Sequence, residues 1–274
     1  MSRYVLIIAA AALASGAGAV HAADWGVSSY EEPAFKPAYP VDYTYDDPLT
    51  FEAGLRYFYS WGGQSFQTGG NTYSANDTAH SFEGHLRIDD RSTSTYLKGH
   101  IGFGAIADGE YSTNGVQTSA YQIGRISYGV ADFGYTPLDT GSMRLGVFGG
   151  YQFTHEAPSN IGLDIHSLRL GVSGRVEVAD VFDINAEVAA IPYSVVSGSM
   201  RNTDGPTTIS NLDGSLYGGS AEVMVGFHPT DMFTIRGGVR GTYLNGHVMS
   251  DPGSAQRYVE TFRWGPVVEL TASF

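Results

Sequence analysis

The chain has no cysteine and is poor in basic residues, and these two features exclude several classes of protein. Without cysteine, neither a disulfide nor a thiolate metal site can form. Only 15 Lys and Arg stand against 28 Asp and Glu, giving a formal net charge of -13, which argues against nucleic acid as a partner. The motifs Gly-x-Ser-x-Gly and His-Glu-x-x-His and the phosphate-binding loop are also absent. We therefore expect no metal, no cofactor and no nucleic-acid partner.

Long apolar runs are scarce as well, and the longest one opens the chain. Arg3 precedes the apolar stretch Val5 to Ala14, and small residues follow it as far as Val20-His21-Ala22. This order is typical of a secretory signal peptide, here residues 1–22, because a spanning helix needs about 20 apolar residues. An uncleaved signal anchor is the alternative. After Ala22 the sequence has no run long enough for a membrane helix.

Residues 23–48 differ in composition from all that follows. They contain Glu31-Glu32-Pro33, Lys36-Pro37, Tyr39-Pro40 and Asp46-Asp47-Pro48. Prolines at this density exclude a sheet interior and favour extended backbone. We interpret the segment as a proline-rich periplasmic tail. A leader without a role of its own is the alternative.

From Leu49 onward, apolar and polar residues alternate with the period of two that marks β-strands. In Ser167 to Val178, for example, Leu and Val alternate with Arg, Ser and Glu. The same alternation gives ten strands in all. The stretch Thr118 to Tyr135 is untidy, since Tyr121 and Ile123 are out of phase with the residues after them, and a β-bulge near Gly124 would restore the phase.

The connections between these strands alternate between short and long without exception. The short ones are Asp89 to Arg91, Thr136 to Gly141, Ala179 to Val181 and His228 to Asp231. The long ones are Gly62 to Thr78, Ile106 to Gln117, His155 to Asp164, Tyr193 to Gly214 and Gly246 to Gln256. Four tight periplasmic turns and five long outer loops are typical of a transmembrane antiparallel up-and-down β-barrel. We predict such an all-β barrel, with ten strands, over residues 49–274.

The strand charges supply an independent test, because an Arg facing lipid near the bilayer centre costs roughly 2–4 kcal/mol. The charged residues fall on the face opposite the apolar one, so we predict that they form a charge network in the lumen. A soluble sandwich with a charged outer surface is the alternative. The predicted network comprises Arg56, Arg87, Lys98, Arg125, Arg144, Arg169, Arg175, Arg236, Arg240, Arg263, Glu52, Glu83, Glu177, Glu187, Glu222 and Glu269.

The last strand ends on an aromatic residue, Phe274, after the alternating residues Phe262, Trp264, Val268 and Leu270. This strand resembles the terminal signal that the outer-membrane barrel assembly machinery recognises in Gram-negative bacteria. With the signal peptide, it predicts a location in the cell outer membrane. The expected partners are that machinery, membrane lipid and lipopolysaccharide, and a possible surface ligand at the loops.

The second half of the chain resembles the omptins, ten-stranded outer-membrane barrels whose members are surface aspartyl-type proteases. The similar stretches are Met143 to Tyr151, Leu168 to Ser199, Tyr217 to Asn245 and Trp264 to Phe274. The proline-rich leader and Gly54 to Tyr57 also resemble barrels of alphaproteobacteria, including some known as surface antigens.

Omptin activity, as the resemblance implies it, requires two carboxylates facing an Asp–His pair that together activate a water molecule. The first pair would be Asp108 and Glu110. The second should lie in Tyr193 to Gly214, where Asp204 and Asp213 occur but no histidine. His155, His166 and His247 lie in or beside other loops, and nothing in the sequence assigns them this role. We therefore expect no enzymatic activity and no catalytic residue.

The sequence thus predicts a non-enzymatic outer-membrane protein with a membrane-structural or surface-interaction role. Its lumen should be largely closed by Arg/Glu pairs, since ten strands enclose little more than the eight whose interior is filled by side chains. The alternatives are a narrow passive pore of porin type and an omptin-like surface protease.

Overall fold

The computed structural model describes residues 48–68, 70–121, 124–158, 161–201, 208–251 and 255–274. The chain divides into a unit Met1–Pro37 and a unit Ala38–Phe274. The predicted signal peptide and the predicted tail up to residue 47 lie outside the described residues, as does Asp204. Within the described part of the chain, no helix has the length and hydropathy needed to cross a membrane.

Eleven strands account for nearly all described residues, and most of them contain 16 to 20 residues. The exception is β4, which has six residues. The strands are β1 (Leu49–Thr68), β2 (Asn71–Asp90), β3 (Thr95–Thr113), β4 (Val116–Tyr121), β5 (Gly124–Asp139), β6 (Met143–Pro158), β7 (Ile161–Ala179), β8 (Phe182–Arg201), β9 (Thr208–Phe227), β10 (Phe233–Asp251) and β11 (Ala255–Ser273).

All strand pairs are antiparallel, and the sheet closes on itself. The hydrogen-bonded order is β2-β1-β11-β10-β9-β8-β7-β6-β5-β3-β4, and an additional pairing of β2 with β3 completes the ring. The short strand β4 extends the hairpin of β3 and pairs with β3. The predicted fold class, a ten-stranded antiparallel barrel, is confirmed, with β4 as one extra strand.

Large apolar side chains cover the outside of the barrel, where a soluble protein would place polar ones. Such a belt requires lipid around it, because its exposed apolar area far exceeds what water-soluble monomers carry. Its members include Leu55, Phe82, Leu86, Leu97, Ile101, Phe103, Phe133, Val147, Leu168, Leu170, Val172, Val225, Val239, Val268 and Leu270, each at least 41% exposed.

Aromatic residues border this apolar belt on both sides, as in membrane barrels. At the end of the short turns, Phe51 stacks on Phe274 with ring centroids 6.0 Å apart, and Phe182 packs on Phe227 at 5.3 Å. Toward the opposite end, which we call the hairpin end, Trp61 packs on Trp264 at 4.9 Å.

The segments predicted as long outer loops continue the strands as β-hairpins. The β1–β2 ladder, for example, runs without a break from Leu49↔Asp90 to Thr68↔Asn71. A 20-residue strand spans roughly 65 Å at about 3.3 Å per residue, far more than the ~25 Å apolar band. Toward the hairpin end the inner face carries buried apolar residues and the outer face polar ones, so the polarity pattern of a membrane strand is lost while the backbone pairing persists.

Two of the described turns, one at each end of the barrel, show how its hairpins close. Asn114 and Gly115 both have positive φ, 52° and 80°, which is the geometry of a type I′ turn between β3 and β4. At the opposite end, the carboxylate of Asp90 accepts hydrogen bonds from Ser92 and Thr93. These hydrogen bonds hold the pKa of the exposed Asp90 carboxyl below its ordinary value.

The inward and outward faces of β5 are exchanged relative to the prediction. The register of β3 is the same on both sides of Gly124, so the bulge predicted there is wrong; a shift lies instead between Tyr111 and Ser112. Ile126 is 2% exposed and faces inward, and its neighbour Arg125 therefore faces outward.

Arg125 is the one member of the predicted lumen network that lies on the outer wall. Its partners in the register are Ala105 and Ala157, close to the hairpin end of β5 and β6. The prediction assumed that an outward Arg is excluded, but this cost falls to about 0–1 kcal/mol at the membrane interface. The inward position is instead taken by Ile126, which packs in the interior.

Candidate functional site

The interior of the barrel holds many charged side chains from different strands. All members of the predicted network except Arg125 lie on the inward face. Arg56, Glu83, Arg169, Arg236, Arg263 and Glu269 are each less than 9% exposed. Buried charges at this density are tolerated only when they are paired and hydrogen-bonded.

The first group of pairs joins strands from opposite sides of the lumen around Arg240. This guanidinium on β10 donates two hydrogen bonds to Glu83 on β2, at 2.7 and 3.1 Å. Its Nε donates to Glu222 on β9 at 2.6 Å. Glu83 also accepts a hydrogen bond from the hydroxyl of Tyr128. Arg240 thus connects β10 to β2, the strand three places away in the barrel.

The second group crosses the lumen from β3 and β5 to β7 and β8. Arg169 bonds Asp132 at 3.1 Å and Glu187 at 2.7 Å. Lys98 also pairs with Glu187, so that one carboxylate joins two cations. Phe148 lies beneath both cations, 5.4 Å from the Lys98 Nζ and 5.6 Å from the Arg169 guanidinium carbon.

The third group lies nearer the turn end, where Arg236 bridges two carboxylates. Its Nη1 donates to Glu52 at 2.8 Å and to Glu269 at 2.7 Å. Arg56 also pairs with Glu269. His85 lies beside the same two carboxylates, with its Nδ1 3.5 Å from Glu269.

Glu52, His85 and Glu269 bring possible metal-ligating atoms within 4.8 Å of one another. The two guanidinium groups of Arg56 and Arg236 already neutralise these carboxylates and would repel a metal ion. We therefore assign no metal to this cluster. The Nδ1 atom of His85 is buried without a hydrogen-bond partner.

We call these three groups the charged layer: Glu52, Arg56, Glu83, Lys98, Asp132, Arg169, Glu187, Glu222, Arg236, Arg240 and Glu269. A cavity of about 100 Å³ lies inside it. A second cavity, of about 470 Å³, extends from it to the turn end, where Arg91, Asp231 and Phe274 contribute to its wall.

Four further members of the predicted network border that second cavity: Arg87, Arg144, Arg175 and Glu177. Three of their cations pair with acids close to the turns. Arg87 bonds Asp89 at 2.7 Å, Arg144 bonds Asp139 at 3.0 Å and Arg175 bonds Asp183 at 2.7 Å. The Nε2 of His228 lies 2.6 Å from the same Asp183. Glu177 lines the cavity without a described ion pair.

A further ion cluster lies on the hairpin side of the charged layer, where Arg263, a member of the predicted network, binds two acids that were not predicted to face inward. Arg263 donates to Glu156 at 2.8 Å and to Asp77 at 2.9 Å. Gln64 donates to Glu156 at 3.0 Å. Asp77 and Glu156 fall in segments that were predicted as loops. Their inward orientation could be predicted only if the strands were extended through those segments. Asp132 was missed because the phase of β5 was inverted.

Above that cluster, the lumen is filled by apolar side chains. These residues form one buried cluster, and each is at most 3% exposed. We call them the apolar layer: Phe66, Leu163, Ile165, Ile191, Val196, Leu212, Leu216, Leu244, Val248 and Val259. This layer was not predicted, because several of its members, such as Phe66, Leu163 and Val248, fall in segments predicted as outer loops.

The residues that the omptin resemblance singled out are not assembled into a site. Asp108 and Glu110 are exposed on β3, and Asp213 is exposed on β9. Neither Asp108 nor Glu110 forms a hydrogen bond or ion pair with another described residue. His155 contacts Asp164 instead, at 2.6 Å, and His166 contacts Tyr151.

Comparison with solved structures identifies the fold. The outer membrane protease OmpT from Escherichia coli matches with a TM-score of 0.62 at 11% identity, over 83% of this chain and 97% of OmpT. Ail, the attachment invasion locus protein of Yersinia pestis, matches at a TM-score of 0.32 with 10% identity over 81% of this chain and 98% of Ail. The toluene transporter TodX of Pseudomonas putida matches at a TM-score of 0.30 with 9% identity, over 82% of this chain and 89% of TodX.

No family model and no curated protein sequence matches the chain. The OmpT match establishes that the chain has the fold of outer-membrane β-barrels, in agreement with the predicted outer-membrane location. At 11% identity this match supports a shared fold but not a shared protease activity.

Proposed function

We propose that the protein is a non-conducting outer-membrane barrel with a membrane-structural or surface-interaction role. The observation that carries this proposal is that two different layers of buried side chains fill the lumen in series. An ion moving through the barrel would meet first the charged layer and then the apolar layer. The hairpins that extend beyond the apolar belt are then the natural surface for contacts outside the membrane.

The charged layer argues against a pore because its cations are held by acids from other strands. Arg240, for instance, has Glu83 and Glu222 as simultaneous partners. A porin keeps a water-filled channel along its axis, whereas here each guanidinium that would attract a solute is already neutralised.

The apolar layer argues against a pore independently. Phe66, Leu163, Leu212, Val248 and Val259 are all 0% exposed, so no water path passes between them. Apolar constrictions block ions because a bare ion cannot leave its hydration shell there.

A non-enzymatic lumen is part of the same proposal. Its support is that the carboxylates of the charged layer are taken up in ion pairs and that neither Asp108 nor Glu110 forms a hydrogen bond or ion pair with a described histidine. The likeness of Gly54 to Tyr57 to alphaproteobacterial barrels supports a source among those bacteria and a role at the surface.

The test is single-channel recording of the full protein, refolded and inserted in planar bilayers. The expected result is no steady conductance, with incorporation verified independently by protease protection in vesicles. Large, steady and weakly selective conductance would contradict the proposal and make the protein a porin.

A further inference from the structure

Three side chains of serine-hydrolase type stand side by side on the outer wall of the barrel. Ser127 on β5 lies opposite His155 on β6 in the register, and His155 lies opposite Asp164 on β7. All three belong to the outward face of their strands, like Arg125. They therefore form one row across three adjacent strands, in the order Ser, His, Asp.

The contact within this row has the geometry of a catalytic Asp–His pair. The Nδ1 of His155 is 2.6 Å from Oδ1 of Asp164. A carboxylate at Nδ1 fixes the imidazole tautomer that leaves Nε2 as the proton acceptor. The side chains are 36% and 43% exposed, so a substrate can reach them from outside the barrel.

Ser127 is the cross-strand neighbour of this imidazole on β5, and the two side chains form no hydrogen bond in the structure. Cross-strand partners on one face have Cβ atoms about 4.5–5.5 Å apart. Two inter-strand spacings, from Ser127 to Asp164, amount to about 9.6 Å. A hydrogen bond from Ser127 to His155 and another from His155 to Asp164, each about 2.7 Å long, would together with the imidazole ring span most of this distance. The lengths of the Ser127 and Asp164 side chains account for the remainder.

The row lies at the hairpin-end border of the apolar belt, where lipid headgroups are expected. Below it on the outward faces of the same strands come the aromatic residues Tyr151 and Phe153, and then aliphatic residues such as Leu168 and Leu170. Arg125, two residues from Ser127 and on the same face, is an exposed cation without an ion-pair partner among the described residues. A guanidinium at this height is suited to bind a phosphate.

A shallow groove leads from Ser127 down the wall toward the membrane. The next outward positions of β5 are Gly129 and Ala131, and Gly129 is flanked in the register by Ile101 on β3 and Phe153 on β6. A Cβ placed on Gly129 would have only the carbonyl oxygen of His100 within 4 Å, at 3.8 Å, so the space over this residue is open. Such a groove matches an extended acyl chain that enters the membrane with its ester at Ser127.

We propose that Ser127, His155 and Asp164 form a catalytic triad that hydrolyses acyl esters of lipids in the surrounding membrane. The Ser127 Oγ attacks the ester carbonyl carbon while His155 Nε2 takes its proton. The ester C–O bond then breaks, and His155 returns the proton to the leaving alkoxide. Water next attacks the acyl-serine, gives its proton to His155 and releases the fatty acid, and Ser127 regains its proton.

In this assignment Arg125 binds the phosphate of the lipid, and Asp164 keeps the imidazole in orientation. The activity is additional to the role proposed above, because the outer wall does not depend on whether the lumen conducts. Failure of either proposal leaves the other untouched.

The experiment uses the full-length protein, folded in detergent and mixed with one of two lipids, phosphatidylethanolamine or lipopolysaccharide. Release of fatty acid is measured, and a fluorophosphonate probe tests for covalent labelling at Ser127. The expected result is release from at least one lipid. We expect Ser127→Ala and His155→Asn each to lower release by about 10³-fold or more and to abolish labelling. Comparing release from the two lipids shows which of them supplies the ester.

Two variants separate catalysis from structure. His80→Asn is the matched control. Like His155, His80 faces outward and has a side-chain hydrogen bond, in its case to Tyr57, but no serine lies opposite it in the register. This variant should leave the rate unchanged. Gly129→Leu should fill the groove, so hydrolysis of long-chain esters falls while labelling of Ser127 by a small probe persists.

The folded state of each variant is verified by its shifted mobility on unboiled gels. No fatty-acid release from either lipid and no labelling of the folded wild-type protein would overturn the proposal. Release that persists in Ser127→Ala would overturn it as well.

Discussion

Arg240 illustrates what a single buried charge does in this barrel. It is bonded to Glu83 and Glu222 at once, and its guanidinium carbon lies 5.1 Å from the ring centroid of Phe58. Arg240→Ala would leave two buried carboxylates without their main cation. We expect this variant to lower the free energy of unfolding by roughly 3–5 kcal/mol, measured by urea titration of the protein in detergent micelles.

The matched control for Arg240 is Arg144, which pairs with Asp139 at the turn end and has a side chain 35% exposed. Since a pair near the surface contributes about 0–1 kcal/mol, Arg144→Ala should change the unfolding free energy by less than that. Equal losses in the two variants would mean that the charged layer is hydrated and does not brace the wall.

Asp108 supplies a second test at the scale of one residue. It is exposed and forms no ion pair or hydrogen bond with a described residue, so it lacks the histidine needed to activate water. We expect no cleavage of peptides at basic sites by the folded protein, followed by mass spectrometry. Cleavage that disappears in Asp108→Ala would contradict this and restore the protease alternative.

At the scale of the strand, the sequence predicts elements well where one face meets lipid and the other does not. Ser167 to Val178 is the clearest case, because lipid demands apolar residues on one face and the lumen accepts Arg169 and Arg175 on the other. β5 is the counter-example. Ile126 and Tyr128 face the lumen, and Arg125 faces out, so polarity no longer distinguishes the faces.

The apolar layer could not be predicted for a related reason. Near the hairpin end, residues such as Leu163 and Val248 turn inward while polar residues such as Asp164 and His247 turn outward, as in a soluble protein. The alternation of polarity inverts beyond the membrane, and a sequence alone does not mark the height at which this happens. The Ser127–His155–Asp164 row escaped notice because its members come from three strands and only the register aligns them.

β11 closes the barrel, and its end is therefore the element on which assembly should depend most. Phe274 exchanges two backbone hydrogen bonds with Phe51, of 3.0 and 2.9 Å, and the two rings stack. We expect Phe274→Asp to reduce the amount of folded barrel in the outer membrane several-fold while export continues. Quantitative immunoblotting of unboiled membrane fractions measures this.

Phe227→Asp is the control for this prediction, because Phe227 belongs to the same aromatic border and packs on Phe182 on other strands. It should assemble better than the Phe274 variant if the terminal strand is the recognised signal. Equal losses in both variants would show that the aromatic border matters and the terminus does not.

At the scale of the whole molecule, the two layers act as barriers in series, and this has a distinct consequence. Removing one layer leaves the other in place, so neither change alone should open the barrel. For the charged layer we choose the double variant Arg240→Ser with Glu83→Ser. It removes both members of one hydrogen-bonded pair, so that neither is left as an unpaired buried charge. For the apolar layer we choose Phe66→Ser with Leu216→Ser, which belong to one buried cluster.

We expect the two double variants to be silent in planar bilayers and the fourfold variant to give steady conductance, provided that each shows the folded mobility on unboiled gels. The physical reason is that water must be continuous along the whole lumen before an ion can cross, since a bare ion does not leave its hydration shell. If the apolar-layer variant alone conducts as strongly as the fourfold one, the charged layer is already permeable. The lumen would then be closed by Phe66 and its neighbours alone, and the buried ion pairs would serve only to brace the wall.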